Sequence, residues 1–270
     1  MVFALVATSM AGTGIHWAPA APDEMAASLL LVAPGNPDRP PVVNAFGAML
    51  GAASDTEDLL EDFVARAGAD PGRTFLRHMR YRDVKRYLAE LGDEMAGEDD
   101  RLGEGPDETQ GCLHSKSEFF RRPLPPQTVE ALIENFSEGR VAGESRELDF
   151  TPWGGAYNRV PAEATAFAHR GELFLIQHVT VTAPDASAAN TDEARRWPGR
   201  SWDLAHPWGS GGVYPNWPDP DLEGWTGAYH GGNLDRLVEI KRKYDPDDFF
   251  RFHQSVPRRA PTGVALSNDG

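Results

Sequence analysis

The stretch from Glu172 to Thr182 reads ELFLIQHVTVT. Its apolar run, Leu173 to Ile176, is typical of a strand buried within a sheet. Other segments separated by turn residues are also predicted as strands: 29–32, 41–48, 147–153 and 163–168. Helices lie between these strands without a regular strand–helix–strand alternation. The pattern therefore predicts an α+β fold, with a mainly antiparallel sheet covered by helices.

The helices are predicted from the spacing of their apolar residues. Gly68 ends the first of them, and Asp245-Pro246 ends the last, because proline disfavours helix in the residue before it. The acidic, glycine-rich stretch 92–111 is predicted as a loop, either a solvated linker or a lid near a substrate. The helical segments are 54–67, 81–91, a helix that follows Pro125-Pro126, 222–229 and 234–244.

Composition excludes several classes of function. The chain has 26 Lys and Arg against 41 Asp and Glu, a formal charge of −15. This charge argues against nucleic acid and anionic membranes as partners. Cys112 is the one cysteine, so no intrachain disulfide or cysteine zinc cluster forms, and the eight histidines are not spaced as metal ligands. Residues 1–11 are apolar without the basic start of a secretory signal. We expect a strand that continues from an upstream segment, in a soluble, cytoplasmic protein.

Common catalytic motifs are missing from the sequence. There is no GxGxxG after a strand, no phosphate-binding loop, no HExxH and no GxSxG elbow. Dinucleotide binding of the usual kind, zinc peptidase chemistry and serine hydrolysis are therefore not indicated.

The C-terminal part carries a specific order of motifs. Residues 212–222 read GVYPNWPDPDL, 225–237 read WTGAYHGGNLDRL, and 241–257 read KRKYDPDDFFRFHQSVP. This order resembles the C-terminal segment of the berberine-bridge-enzyme-like, FAD-linked oxidases of the vanillyl-alcohol-oxidase superfamily. Upstream, 165–170 (TAFAHR) and 117–125 (SEFFRRPLP) are similar to motifs of that family's substrate domain.

The resemblance implies a division of the chain and an activity. Residues 1–208 correspond to the substrate-binding domain, 209–260 to the C-terminal segment that packs on the FAD domain, and 261–270 to a disordered tail. Nothing in the sequence resembles the N-terminal FAD-binding domain. The family implies hydride transfer from an alcohol, sugar or similar small substrate to FAD, which dioxygen reoxidises. Either a separate FAD-binding polypeptide or a homo-oligomer is the expected partner. The alternative is a non-catalytic module that binds small molecules, and whether the chain is active alone stays open.

The resemblance also assigns site residues. Trp217 stands where the family often has a tyrosine base, and an indole cannot accept a proton. His178 has a suitable unperturbed pKa for a base, although a structural role is the alternative for it, as packing is for Tyr214. The implied residues are catalytic Gln177 and His178, FAD-contacting Asn216, Tyr214 and Gln254, and substrate-binding His169 and Trp217. No metal ligands are expected.

Overall fold

The fold is an α+β arrangement built on one antiparallel sheet, as the sequence predicts. The computed structural model describes residues 1–7, 17–68, 70–87 and 111–259. Its seven strands are ordered β4-β1-β3-β2-β6-β7-β5, and every adjacent pair is antiparallel. The strands are β1 (Val2–Ala7), β2 (Met25–Ala33), β3 (Val42–Met49), β4 (Arg73–Arg77), β5 (Cys112–Phe120), β6 (Glu144–Pro152) and β7 (Phe174–Thr182).

Three helices cover one face of the sheet, which we call the helix face. Alternate residues of each strand point to this face because side chains in a strand alternate between its two sides. Phe63, Leu132 and Trp197, one from each helix, are buried there with strand residues such as Leu148. The helices are α1 (Ala53–Ala67), α2 (Pro126–Ser137) and α3 (Ala188–Ala205), followed by α4 (Trp225–His230) and α5 (Leu234–Tyr244). Residues 81–87 are also helical.

Helix α3 is fixed to β7 by a hydrogen bond that compensates for a proline. Pro198 lies inside α3 and has no N–H to give to the carbonyl of Ala194. The buried hydroxyl of Thr180 donates to that carbonyl instead, at 2.9 Å. This contact satisfies the freed acceptor and sets where α3 lies on the sheet.

Helix α2 is fixed by a buried guanidinium. Arg146 on β6 is fully buried and paired with Glu144, with 2.8 Å between Nε and Oε1. Its Nη groups also donate to main-chain carbonyls at the end of α2 and just after it, where carbonyls lack intrahelical partners. The accepting carbonyls belong to Asn135, Phe136, Glu138 and Gly139.

The structure corrects several element predictions. Strands β4 and β5 and helix α3 were not expected, because β5 is polar on both faces and α3 contains Pro198 and Gly199. The predicted strand 163–168 is wrong. A short 3-10 helix at Ala162–Ala164 begins the segment, and the Thr165 carbonyl accepts from the side-chain amide of Asn233 rather than from another strand.

The other elements agree within a few residues, except that the predicted helix 222–229 begins at Trp225. The segments 8–11 and 88–110, and the predicted tail 261–270, fall outside the described residues. Within the described ranges, no helix is both long and apolar enough to cross a bilayer.

Candidate functional site

A row of mostly polar side chains, which we call the polar row, crosses the face of the sheet opposite the helices. We call this face the site face. Asp149 on β6 is opposite Gln177 on β7, and Gln177 is opposite Ser117 on β5. On the other side, Asp149 is opposite Leu30, which is opposite Asn44. At about 4.8 Å per strand, the row extends about 10 Å to each side of Asp149. Five segments distant in sequence therefore contribute to one surface.

Asp149 has an unusual electrostatic environment. Burial raises the pKa of its carboxyl group from 3.8 to about 6, a hydrogen bond from Thr151 opposes this, and the nearby charge of Glu147 adds to it. Burial also raises the pKa of Glu147, which lies two residues away on the same strand face. A carboxyl group that titrates near neutral pH suits proton transfer, because it takes up and releases a proton at similar cost.

Several buried polar atoms on this face have no partner among the described residues. They are the Ser117 hydroxyl, the Trp153 indole N–H and the Asn44 carbonyl oxygen, on side chains that are 4%, 8% and 5% exposed. Buried polar groups in folded proteins are nearly always hydrogen-bonded. Ser117 and Trp153 lie at the same end of the row, on either side of Phe119, so their unsatisfied atoms point to a ligand there, while Asn44 lies at the other end of the row.

An aromatic cluster closes one end of the polar row. Phe119 packs against Trp153 with ring centroids 4.9 Å apart, and Tyr214 lies 5.4 Å from Trp153. Trp217 meets Tyr214 edge-on at 5.2 Å. Phe167 completes this aromatic wall. Phe119 and Trp153 are buried, whereas Phe167, Tyr214 and Trp217 are partly exposed and can pack against a flat ligand.

The wall brings together three of the residues implied by the resemblance. Tyr214 and Trp217 are partly buried within it, and Asn216 is exposed beside them. The side-chain amide of Asn216 donates to the Tyr214 hydroxyl at 2.8 Å, which orients that hydroxyl. Gln177 lies on the polar row, so all four of these residues occupy the same side of the sheet.

The two predicted site histidines lie elsewhere. His178 points to the helix face, is fully buried, and its Nδ1 is 2.8 Å from the Ser201 hydroxyl. Burial, with a contribution from the Lys116 charge, lowers the pKa of His178 to about 3. The structure does not bring it to the face that carries Gln177, and its catalytic role stays a prediction.

His169 supports the wall from behind. Its ring lies 4.8 Å from that of Phe119, and its Nε2 is 3.2 Å from the carbonyl oxygen of Tyr229. Burial lowers the pKa of His169 to about 4. A Cβ on Gly212 would lie 2.6 Å from its Nδ1, so only glycine lets the chain pass so close.

Gln254 bonds within its own chain. Its amide N–H donates to the Asp219 carbonyl at 2.7 Å, and its oxygen lies 3.4 Å from the Tyr229 hydroxyl. The side chain therefore fixes the C-terminal segment to the turn that follows Trp217, and contact with a flavin stays a prediction.

Asp149, Ser117 and Trp153 are not among the site residues that the sequence predicts. One signal was present: the segment Glu147–Thr151 alternates acidic or polar residues with Leu148 and Phe150. An apolar residue at every second position predicts one buried strand face, and the intervening acids then share the other.

The sequence is similar to one family of known proteins. Residues 213–257, which include the Tyr214–Trp217 part of the wall, match the family model "Berberine and berberine like". About half of the chain is similar in sequence to berberine-bridge-enzyme-like proteins. It is 36% identical over 160 residues to Berberine bridge enzyme-like 6 of Arabidopsis thaliana, covering 53% of this chain and 28% of that protein. It is 35% identical over 131 residues to the uncharacterized FAD-linked oxidoreductase YvdP of Bacillus subtilis, covering 47% of this chain and 27% of the relative.

Solved berberine-bridge-enzyme-like structures share the fold over nearly the whole chain. A variant of Physcomitrella patens BBE-like 1 superimposes with a TM-score of 0.76 at 23% identity, covering 96% of this chain and 54% of its own. A berberine bridge enzyme variant in complex with (S)-reticuline gives 0.75 at 18% identity, covering 96% and 55%. The chain thus spans about half the length of these structures and under a third of the two curated relatives above.

FAD is the cofactor that this relationship implies, since Bacillus relatives are named FAD-linked oxidoreductases. The site face suits such a group. A flavin ring is flat and aromatic, with hydrogen-bonding atoms along its edges. The aromatic wall offers packing partners, while Ser117 and Trp153 offer unsatisfied polar atoms.

Proposed function

We propose that this chain forms the substrate-facing part of an FAD-dependent oxidoreductase that oxidises an alcohol, sugar or similar small organic molecule. The observation that carries the proposal is the in-register pair of Asp149 and Gln177 beside the aromatic wall. Bound FAD would accept the hydride from the substrate and pass the electrons to dioxygen.

Asp149 is the proposed base. Its carboxylate would take the proton of the substrate hydroxyl as the adjacent C–H bond is broken, so that a carbonyl product forms. The pKa of about 6 leaves a large ionised fraction near neutral pH. This assignment removes the difficulty posed by Trp217, because the base comes from the sheet rather than from the C-terminal segment.

The neighbours of Asp149 have positioning roles in this proposal. Gln177 would donate to or accept from the substrate oxygen, and the Ser117 hydroxyl would bond the ligand beyond it. Tyr214, oriented by Asn216, and Trp217 would pack on the flat faces of substrate or flavin and exclude water. The tight placement of such groups accounts for much of the rate in a two-reactant step.

A flavin-bearing polypeptide is the proposed partner, with a second copy of this chain as the alternative. Phe249, Phe250 and Phe252 are 82%, 71% and 69% exposed. They lie on a turn fixed by N–H groups of Phe249 and Phe250 that donate to the Asp245 carboxylate. Grouped, exposed aromatic side chains on an ordered turn are typical of a docking surface.

In the test, the tagged protein is purified from its native host together with the polypeptide that carries the flavin. We expect a visible flavin band that bleaches when the effective member of a panel of alcohols and sugars is added without oxygen. Asp149→Asn should keep the flavin band, and the rate at which substrate bleaches that band should fall at least about 100-fold. Phe250→Ser should lose the band, because it weakens docking at an exposed position.

Asp58→Asn, at an exposed aspartate on α1, is the matched control and should behave as the wild type. A colourless preparation that binds members of the panel would favour the non-catalytic module. A yellow preparation in which D149N bleaches at the wild-type rate would remove Asp149 as the base.

A further inference from the structure

Strand β5 contributes to the site from both of its sides. Ser117 and Phe119 point to the site face, while Lys116 and Glu118 point to the helix face. Both charged side chains reach past the edge of the sheet to the segment that carries the aromatic wall. They hold this segment at two points, one on each side of Tyr214–Trp217.

Glu118 holds the chain before the wall. It is 1% exposed, and its carboxylate accepts from the Gly211 N–H at 3.1 Å and lies 2.9 Å from Nδ1 of His206. The main chain of residues 210–212 also pairs with the outer edge of β5. The Ser210 N–H donates to the Phe119 carbonyl at 2.8 Å, and the Phe119 N–H donates to the Gly212 carbonyl at 2.9 Å.

Lys116 holds the chain after the wall. Its Nζ lies 2.6 Å from Oδ2 of Asp219, whose side chain is 7% exposed. Asp219 is itself a junction, because its N–H donates to the Tyr229 hydroxyl at 2.9 Å and its carbonyl accepts from Gln254 at 2.7 Å. A displacement of Lys116 would therefore reach the C-terminal segment as well.

One tryptophan connects the two anchors. The Trp202 ring stacks on the His206 ring with centroids 3.9 Å apart, and Lys116 Nζ lies 5.6 Å from the Trp202 centroid. The anchors thus form one packed unit behind β5. Lys116 and His206 are partly exposed, and contacts between charged groups that face solvent contribute little net stability. Precise placement is therefore the better account of this arrangement.

We propose that Lys116 and Glu118 are positioning residues that clamp the Tyr214–Trp217 segment against Phe119. The purpose of the clamp rests on the proposed function of the site face, but its existence does not. It acts through Gly211 and Asp219 and touches neither substrate nor flavin.

The test records the indole N–H resonances of the protein in solution, without flavin. The chain has seven tryptophans, and single Trp→Phe variants assign Trp217, Trp153 and Trp17. Glu118→Gln should displace the Trp217 and Trp153 resonances by more than a linewidth. The Trp17 resonance should stay in place, because Trp17 packs on Phe63 of α1 on the helix face, among residues far along the chain from the clamp.

Matched variants separate the clamp from a general loss of stability. Lys116→Met should displace the Trp217 resonance from its wild-type position. Lys116→Arg should leave that resonance near its wild-type position, because it keeps a cation near Asp219. Glu144→Gln removes another buried, ion-paired carboxyl group from the helix face, and it should leave Trp217 unmoved. Because Lys116 is partly exposed, the Lys116→Met and Lys116→Arg variants stay informative even when Glu118→Gln does not fold.

Resonances of Trp217 and Trp153 that stay in place in both E118Q and K116M would overturn the clamp. So would an equal displacement in E144Q. Neither result depends on a flavin, so failure of the clamp and failure of the proposed oxidoreductase activity are separate outcomes.

Discussion

Replacing Asp149 by asparagine should make the protein more stable near neutral pH. Burial raises the pKa of this carboxyl group to about 6 in the folded protein, against 3.8 for the exposed group. The fold therefore favours the protonated form. Between these two values the unfolded chain has lost the proton while the folded chain keeps it, so stability falls as pH rises from about 4 to about 6 and is then constant.

The size of the effect follows from the same two values. The difference between 3.8 and about 6 corresponds to about 3 kcal/mol, at about 1.4 kcal/mol for each pH unit. The asparagine amide has no charge to desolvate and still offers an oxygen to the Thr151 hydroxyl. Asp149→Asn should therefore match the wild type at about pH 4 and exceed its free energy of unfolding by up to about 3 kcal/mol at about pH 7.5, with solvent screening reducing this figure because the side chain is only partly buried.

Urea denaturation at both pH values measures this difference. The acid sensitivity that other groups confer, such as the buried His178 and His169, is common to the wild type and the variant and cancels. Asp58→Asn controls for the exchange of a carboxyl group for an amide at an exposed site. A D149N variant that is less stable than the wild type at about pH 7.5, or that differs from it equally at both pH values, would refute the reasoning.

Two further predictions concern the contacts that fix the helices to the sheet. Thr180→Val should lower the free energy of unfolding by about 1–3 kcal/mol, since it leaves the Ala194 carbonyl buried without a donor; Thr180→Ser, which keeps the hydroxyl, should recover most of the loss in the same urea titration. Arg146→Met should lower the free energy of unfolding by about 3–5 kcal/mol, because it leaves Glu144 buried without its partner. Thermal unfolding measures this loss, and adding Glu144→Gln to the R146M protein should recover part of it. An R146M protein as stable as the wild type would contradict the capping role of Arg146.

Much of the fold could be predicted from the sequence because local patterns and tertiary contacts agree. Strands β2, β3 and β7 show apolar runs or alternation, and α1 ends at Gly68, which adopts the left-handed conformation with φ 66°. Helix α3 was missed because its local signal is broken by Pro198, and only a tertiary contact from Thr180 restores the lost hydrogen bond. Strand β5 was missed because both of its faces carry polar residues with specific roles.

The site was harder to predict because strand register decides it, and register is not visible in any one segment. A shift of one residue in the β6–β7 pairing would place Asp149 opposite a residue that points to the helix face. The C-terminal motifs pointed to Tyr214, Asn216 and Trp217 because those residues lie within four positions of one another in the sequence. Asp149 and Ser117 have no such motif, and they join Gln177 only through the order of the strands. The prediction of Gln177 and His178 as catalytic neighbours shows the same limit: adjacent residues of a strand face opposite ways, so at most one of the pair can lie on the site face.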